Sequence, residues 1–497
     1  MRRWVLAATI LGSSMAFIDT TVVNVALPIV QRDLHGSVSD AQWIIDAYLL
    51  VLSSLILAGG SLGDRLGRVR VFGVGVALFA LASVWCGAAG STTQLIAARA
   101  LQGAGAALLV PGSLAIIAAT FPRQERGRAI GTWSALTSLA IIAGPLLGGV
   151  LVQTISWRAV FLINAPIAAV VLLIVWRKVP SDAGERAGAV DWLGTLLVTL
   201  GLGGVVFAFI EAPGRGWSSA SVAGAAIGGT LALIAFVFVE RKVQQPIVPF
   251  SLFRSLAFTG ANLLTLLLYA ALSVATFLLP FNLIQVQGYS PAEAGAAFLP
   301  FVVTMSLLSR WSGALADRIG ARPLLIVGPL IAGTGLAILA LPSVGGSYWT
   351  TFFPGLLVLG LGMALTVAPL TTTVMTSIGD ERHAGAASGI NNAVARAAGL
   401  LSIAVLGAAA VGVFSRDLDD RLAKAGAPTE VRRAMAEQSL HLAAAEPPAG
   451  ADAPMVRHAV RHSFVRAFRV TTITSAVLAV LSSLGALGVK PFRLTQQ

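Results

Sequence analysis

Fourteen times along the chain, an apolar run of about twenty residues recurs, and that recurrence settles the solvent before anything else. The runs lie at 5–29, 42–60, 70–90, 94–118, 128–152, 159–177, 191–211, 219–239, 256–284, 294–312, 323–342, 350–376, 386–412 and 467–489. Each is long enough to cross a bilayer as a helix, which satisfies its own backbone in lipid. The expected fold class is therefore an all-α polytopic membrane protein with 14 transmembrane helices. Charged residues make up 11% of the 497, against about 25% in soluble domains. The first run continues past any signal-peptide cleavage point and reads as a true span.

Several function classes fall away at this stage. The net charge of +12 is spread over short loops rather than gathered on one face, which argues against nucleic acid. Cys86 stands alone, so neither a disulfide framework nor a Cys/His metal cluster is available. No HExxH, P-loop or GxSxG occurs, and no cofactor is expected. A polytopic membrane enzyme would need clustered His and Asp; His35, His383, His441, His458 and His462 are scattered over loops.

Basic residues orient the spans. The loops on the N-terminal side hold 20 arginines and lysines, whereas the short loops opposite hold only Arg32, Arg158 and Arg215. Both termini are accordingly expected in the cytoplasm, with the chain in the cell inner (plasma) membrane. The segment 414–466 would be the one sizeable extracytoplasmic loop. Its stretch "RDLDDRLAKAG" reads as a solvated loop, with a short amphipathic helix as the alternative.

The chain repeats itself. "GSLGDRLGRVR" (60–70) parallels "GALADRIGARP" (313–323), and "ERGRAIGTWSA" (125–135) parallels "ERHAGAASGIN" (381–391). The step from Asp64 to Asp317 is 253 residues and that from Glu125 to Glu381 is 256. Two motif pairs at nearly one offset point to two homologous six-helix halves, a common architecture of secondary transporters. The expected division is 1–178 for the N-terminal bundle, 179–254 for inserted helices 7 and 8, and 255–497 for the C-terminal bundle.

Charge inside the spans marks function. Asp19 lies near the middle of the first span, where a carboxylate costs about 2.5–3.5 kcal/mol on insertion scales. It is expected to be the principal proton-coupling residue, with a permanent salt bridge as the alternative. Arg99, about one turn into its run, reads as a buried functional arginine. Asp46 reads either as a second protonation site or as an interfacial residue beside Trp43 and Tyr48. Asn24 lies one to two turns beyond Asp19, with Thr20 and Thr21 between. Trp133, Phe161, Asn164, Asn262, Tyr269, Asn391 and Asn392 are weaker cavity candidates, and Arg396 is the second arginine at membrane depth.

Four motifs in order resemble the major facilitator superfamily, and within it the fourteen-helix drug:proton antiporters of the EmrB/QacA type. They are "IDTTVVNVALP" (18–28), "GSLGDRLGRVR" (60–70), "RALQGAGAA" (99–107) and "GPLLGG" (144–149). "WRAVFLINAPI" (157–167) and "DWLG" (191–194) also look like this group. The resemblance implies two pseudo-symmetric six-helix bundles plus two inserted helices. It implies a proton-coupled antiporter exporting amphipathic or cationic small molecules, functional as a monomer among membrane lipid. The alternative on the same fold is a dedicated exporter of one endogenous antibiotic, lipid or metabolite. The proton-coupling set it implies is Asp19, Asp46 and Arg99; the substrate-binding set is Asp19, Asn24, Trp133, Asn391 and Asn392. A gating latch would use Gly60, Asp64, Arg65, Gly67, Arg68, Asp317 and Arg318, with Asp64 near the start of the third helix. The bending interface would use Gly144, Pro145, Gly148 and Gly149. Two departures stand out: Ala140 replaces a motif glycine, and spans 10 and 13 carry no interior carboxylate.

Overall fold

The computed structural model describes residues 2–180, 191–243, 246, 248–377 and 384–489, apart from the side chains at 123, 124, 127, 135, 138, 142 and 384–386. Glu381, Arg382 and His383 of the second repeat motif lie outside the described residues, as do Arg186, Lys490 and Arg493 of the loop-charge comparison.

Among the described residues the chain is helical throughout, and 14 of its segments are long and apolar enough to cross a membrane. In the first part run α1 (Arg2–Asp33), α2 (Val38–Leu66), α3 (Arg68–Ala88), α4 (Thr92–Thr120) and α5 (Arg123–Thr154), followed by α6 (Ala159–Leu162) and α7 (Asn164–Lys178), which form one span. Then come α8 (Trp192–Arg215) and α9 (Ala220–Glu240). The last part holds α10 (Leu256–Phe281), α11 (Pro291–Ala297), α12 (Leu299–Ile319), α13 (Ala321–Leu339), α14 (Tyr348–Thr376), α15 (Ala384–Lys424), α16 (Thr429–Glu437) and α17 (Ala453–Ser482). In the first part α2 and α3 pack on α4, and α1 on α5 and α7; in the last, α12 and α13 pack on α14, and α10 on α15 and α17. The pair α8–α9 leans on this body through α8, which touches both α2 and α15.

Local chemistry sets the boundaries. At the start of α2 the Ser37 hydroxyl accepts from Asp40 N at 3.1 Å, and the Asp40 carboxylate accepts from Ser37 N at 2.8 Å, a reciprocal capping box. Ser290 and Glu293 repeat the device at α11, with Pro291 in its first turn. Gly67 joins α2 to α3 at φ 97°, a conformation that side chains disfavour.

Two expectations change. Asp64 lies in the last turn of α2 rather than at the start of the next helix, because α2 continues to Leu66; it accepts from Arg68 Nε at 2.8 Å across Gly67. The stretch "RDLDDRLAKAG" is not a solvated loop, since α15 runs on through it to Lys424. Phe414, Leu418 and Leu422 recur every four residues and are buried, so one face of this extension is apolar. Together with α16 and the first turns of α17 it forms a compact cap.

The cap covers the end of the molecule opposite the termini, and that end is closed. Gln31 Nε2 donates to His441 O of the cap at 3.4 Å and Gln285 Nε2 to Gln31 Oε1 at 3.0 Å. Gln285 sits in a π-turn (Asn282–Val286) that follows Pro280. Gln42 Nε2 donates to Ile403 O at 2.6 Å. Most intimately, Gly149 of α5 faces the backbone carbonyl of Pro291, while Gly295 of α11 faces that of Pro145. A side chain at either place would press on backbone. At the other end a Cβ on Gly131 of α5 would meet nothing within 4 Å among the described residues, and Trp311 of α12 is 74% exposed.

A substitution follows from this contact. Gly149→Val is expected to favour separation of α5 from α11 by about 1–3 kcal/mol, a shift of about 5–150-fold in the conformational equilibrium. Labelling of Ala292→Cys by a membrane-impermeant thiol reagent reads it, since Cys86 is buried. Labelling should rise by at least fivefold in the double variant; unchanged labelling would show that the contact does not control this end.

Candidate functional site

The five helices α1, α2, α3, α4 and α7 meet at Asp19. Its Oδ2 accepts from Arg99 NH1 at 2.5 Å, and its Oδ1 from Gln102 Nε2 at 2.8 Å and Asn164 Nδ2 at 3.4 Å. Arg99 also donates through NH1 to Gln102 Oε1 at 2.6 Å and through Nε to Ile44 O at 3.0 Å. Its guanidinium carbon lies 4.3 Å from the centre of the Tyr48 ring, a cation–π contact. Ser83 Oγ accepts from Gln102 Nε2 at 2.8 Å and donates to Phe79 O at 2.8 Å. Asp19, Ser83, Gln102 and Asn164 are wholly buried and Arg99 is 1% exposed. Both charges are thus paired and hydrogen-bonded, the condition for keeping an ion pair away from water.

Asp46 presents the opposite case. It is wholly buried, and neither carboxylate oxygen has a hydrogen-bond partner among the described residues. It lies eight residues into α2, about 12 Å from the helix start. Helical spacing places it between two contact stripes. On one side, Gln42 bonds Ile403 O of α15 and Leu49 lies against Gly399. On the other, Ser39 Oγ donates to Ile210 O at 3.1 Å and Trp43 Nε1 to Glu211 Oε1 at 3.1 Å, both on α8. Asp46 therefore lies on the strip of α2 between its contacts with α15 and those with α8. The Arg99 network holds the same stretch of α2 from its other face, at Ile44 and Tyr48. An ionised carboxylate in such a seam costs several kcal/mol, and a proton on it removes most of that cost.

The remaining candidates spread along the two halves. Asn24 is partly exposed and bonded to nothing among the described residues. Trp133 Nε1 donates to Ser13 Oγ at 3.2 Å, and its ring meets Phe17 edge-on at 6.4 Å. Asn391 Nδ2 donates to Thr265 Oγ1 at 2.7 Å and Asn262 Oδ1 at 3.1 Å, fastening α15 to α10. Asn392 is exposed and donates to Ser388 O of its own helix at 3.0 Å. Arg396 of α15 stands close enough to Tyr48 and Tyr269 to act on both electrostatically. Among the described residues no carboxylate pairs with it, and its Nε is unpartnered.

Of the gating candidates, Gly144 and Gly148 lie against Thr21 and Val22 of α1, and Gly149 against α11. Pro145 is inside α5. Gly60 lies near Pro111 of α4. The Asp64–Arg68 ion pair is present in the first repeat, while Arg65, Asp317 and Arg318 are exposed. Sequence reasoning missed Ser83, Gln31, Gln42 and Gln285. The signal was there for the glutamines, as lone amides near the ends of apolar runs, but such residues are common enough to go unnoticed.

The profile of the Major Facilitator Superfamily matches residues 9–403. The chain is 34% identical over 487 residues to "Multidrug resistance protein Stp" of Mycobacterium tuberculosis, covering 96% of this chain and 90% of that protein. It is 32% identical to "Tetracenomycin C resistance and export protein" of Streptomyces glaucescens, covering 98% of this chain and 91% of that protein. Among solved structures, a bacterial homolog of the human lysosomal transporter Spinster, inward-facing and occupied, superposes with a TM-score of 0.69 at 19% identity, over 99% of this chain and 97% of that one.

Proposed function

The chain belongs to the Major Facilitator Superfamily, and on that premise we propose that it is a proton-coupled exporter of amphipathic small molecules, drugs and antibiotics among them. Relatives named for multidrug resistance and for tetracenomycin C export, alike over nearly the whole chain, support the efflux reading. The observation that carries the coupling is Asp46, buried at the seam of the closed end with both oxygens unpartnered.

The loop charges support cytoplasmic termini in the inner (plasma) membrane. The open end then faces the cytoplasm and the capped end the outside. Residues 1–178 and 255–497 are the two bundles, with helices 7 and 8 between them. In this orientation a proton arriving from outside neutralises Asp46 and lets α2 close on α8 and α15. Substrate entering from the open cytoplasmic end drives that proton off Asp46 to the cytoplasm; the ionised carboxylate then opens the seam to the outside, where substrate leaves and the next proton arrives. Asp19 and Arg99 hold α2 in register through Ile44 and Tyr48. Substrate contacts come from Asn24, Trp133, Asn391 and Asn392, with Arg396, whose Nε is unpartnered among the described residues, as a charge beside them. The inserted helix α8 has a place in this scheme as one wall of the seam. The driving force is adequate: one charge moving inward at 100 mV supplies about 2.3 kcal/mol.

The test is uptake of ethidium into everted membrane vesicles under an imposed proton gradient. Vesicles carrying the protein should accumulate ethidium, and an uncoupler should abolish accumulation. Ethidium uptake indifferent to the uncoupler would exclude proton coupling. No uptake by the folded protein, with one native compound building up in a deletion strain, would favour a dedicated exporter; the relative named for a single antibiotic makes that the second reading.

A further inference from the structure

The cap that lengthens α15 and α17 does more than cover the closed end, because with the ends of the spans it lines an open pocket of about 620 Å³. That volume is within the range of small-molecule sites, about 300–1,000 Å³. Three arginines from two separate parts of the chain line it: Arg32 at the end of α1, and Arg457 and Arg461 one turn apart on α17. None of the three makes an ion pair or side-chain hydrogen bond among the described residues, and neither does Arg416, whereas the cap arginines Arg421, Arg432, Arg433 and Arg466 are each paired with a carboxylate. Glu446 is the one acidic residue in the lining, so the formal balance is positive. The wall beneath is apolar, with Pro28 and Ile29 of α1. The roof is built rather than draped: Leu442 is 1% exposed and holds φ at 51°, a conformation a leucine adopts only when its surroundings impose it.

Three exposed, unpaired arginines on one pocket give it a locally positive potential that attracts anions. Guanidinium groups are suited to oxyanions because their planar donors match phosphate, sulfonate and carboxylate geometry. We propose that this cavity is a binding site for an amphipathic organic anion, its oxyanion on Arg32, Arg457 and Arg461 and its apolar part against Pro28 and Ile29. The site lies outside the Asp19 and Asp46 machinery and is independent of the proposed transport mechanism. The anion can come from the outer leaflet as a lipid headgroup, or from the aqueous phase as a free compound.

The experiment uses the full chain purified in an uncharged detergent. Dihexanoyl phosphatidylglycerol stands for the lipid source and hexyl phosphate for the free source, each titrated by calorimetry. At least one should bind saturably, with affinity falling as salt is added. The double substitution Arg457→Gln/Arg461→Gln should weaken that binding at least tenfold, while Arg433→Gln, on the same cap and outside the cavity, should leave it unchanged. Binding of the phosphatidylglycerol alone identifies a lipid headgroup site; binding of both identifies an oxyanion site open to either source. Absence of binding by both probes, or equal binding by the double variant with an unchanged thermal midpoint, would overturn the proposal. Should the double variant unfold, Arg32→Gln, which lies outside the cap, is expected to weaken binding at least threefold and serves as the deciding variant.

Discussion

Arg99→Ala is expected to cost about 3–5 kcal/mol of stability, because it leaves the Asp19 carboxylate buried without its charged partner. Arg99 reaches Asp19, Gln102, Ile44 O and the Tyr48 ring at once, and it is 1% exposed. Thermal unfolding in detergent checks it. The double variant Asp19→Asn/Arg99→Gln removes both charges at nearly constant shape and should recover most of that loss, since replacing both partners of a buried pair is far cheaper than breaking it. Transport separates two roles that stability cannot. If the pair positions α2 for coupling, the recovered double variant should keep less than a tenth of wild-type proton-driven transport. Full transport by it would make the pair a structural tie alone.

Asp46→Asn carries the second large effect, with the opposite signature. The carboxylate has no partner to lose among the described residues, so the thermal midpoint should stay level or rise. Gradient-driven accumulation, in contrast, should fall at least a hundredfold, while downhill equilibration of substrate continues. Asn keeps the shape of the protonated acid and cannot change charge, so the seam of α2, α8 and α15 should close whether or not protons are present. Asp46→Glu keeps a titrating group and should retain measurable accumulation. An Asp46→Asn protein that concentrates substrate as well as wild type would remove Asp46 from the coupling route.

The spans were legible in the sequence because lipid imposes a twenty-residue apolar length that no other environment demands. The motifs marked Asp19 and Arg99 as interior for a related reason: a charge at that depth has to be matched. What could not be read was the partner set. Ser83 looks like any small residue of a membrane helix until Gln102 is found pointing at it. Sequence alone makes Asp19 the expected principal proton-coupling residue and leaves Asp46 open between a second protonation site and an interfacial one, because it gives depth along a helix but not which neighbours close over a face. Only packing reveals that, among the described residues, Asp19 has three donors and Asp46 none. The cap escaped for a simpler reason. Its charges, among them Asp417, Asp419, Asp420 and Arg421, masked the four-residue stripe of Phe414, Leu418 and Leu422 that makes it helical and packed.

Proton movement itself is the most direct test of the account. Proteoliposomes loaded with a pH-sensitive dye and given an outward substrate gradient, with no imposed pH difference, report proton flux as substrate leaves. Wild-type protein should drive protons inward in step with substrate efflux, and Asp46→Asn should pass substrate with no accompanying proton flux. Proton influx of wild-type size through the Asp46→Asn protein would contradict the account.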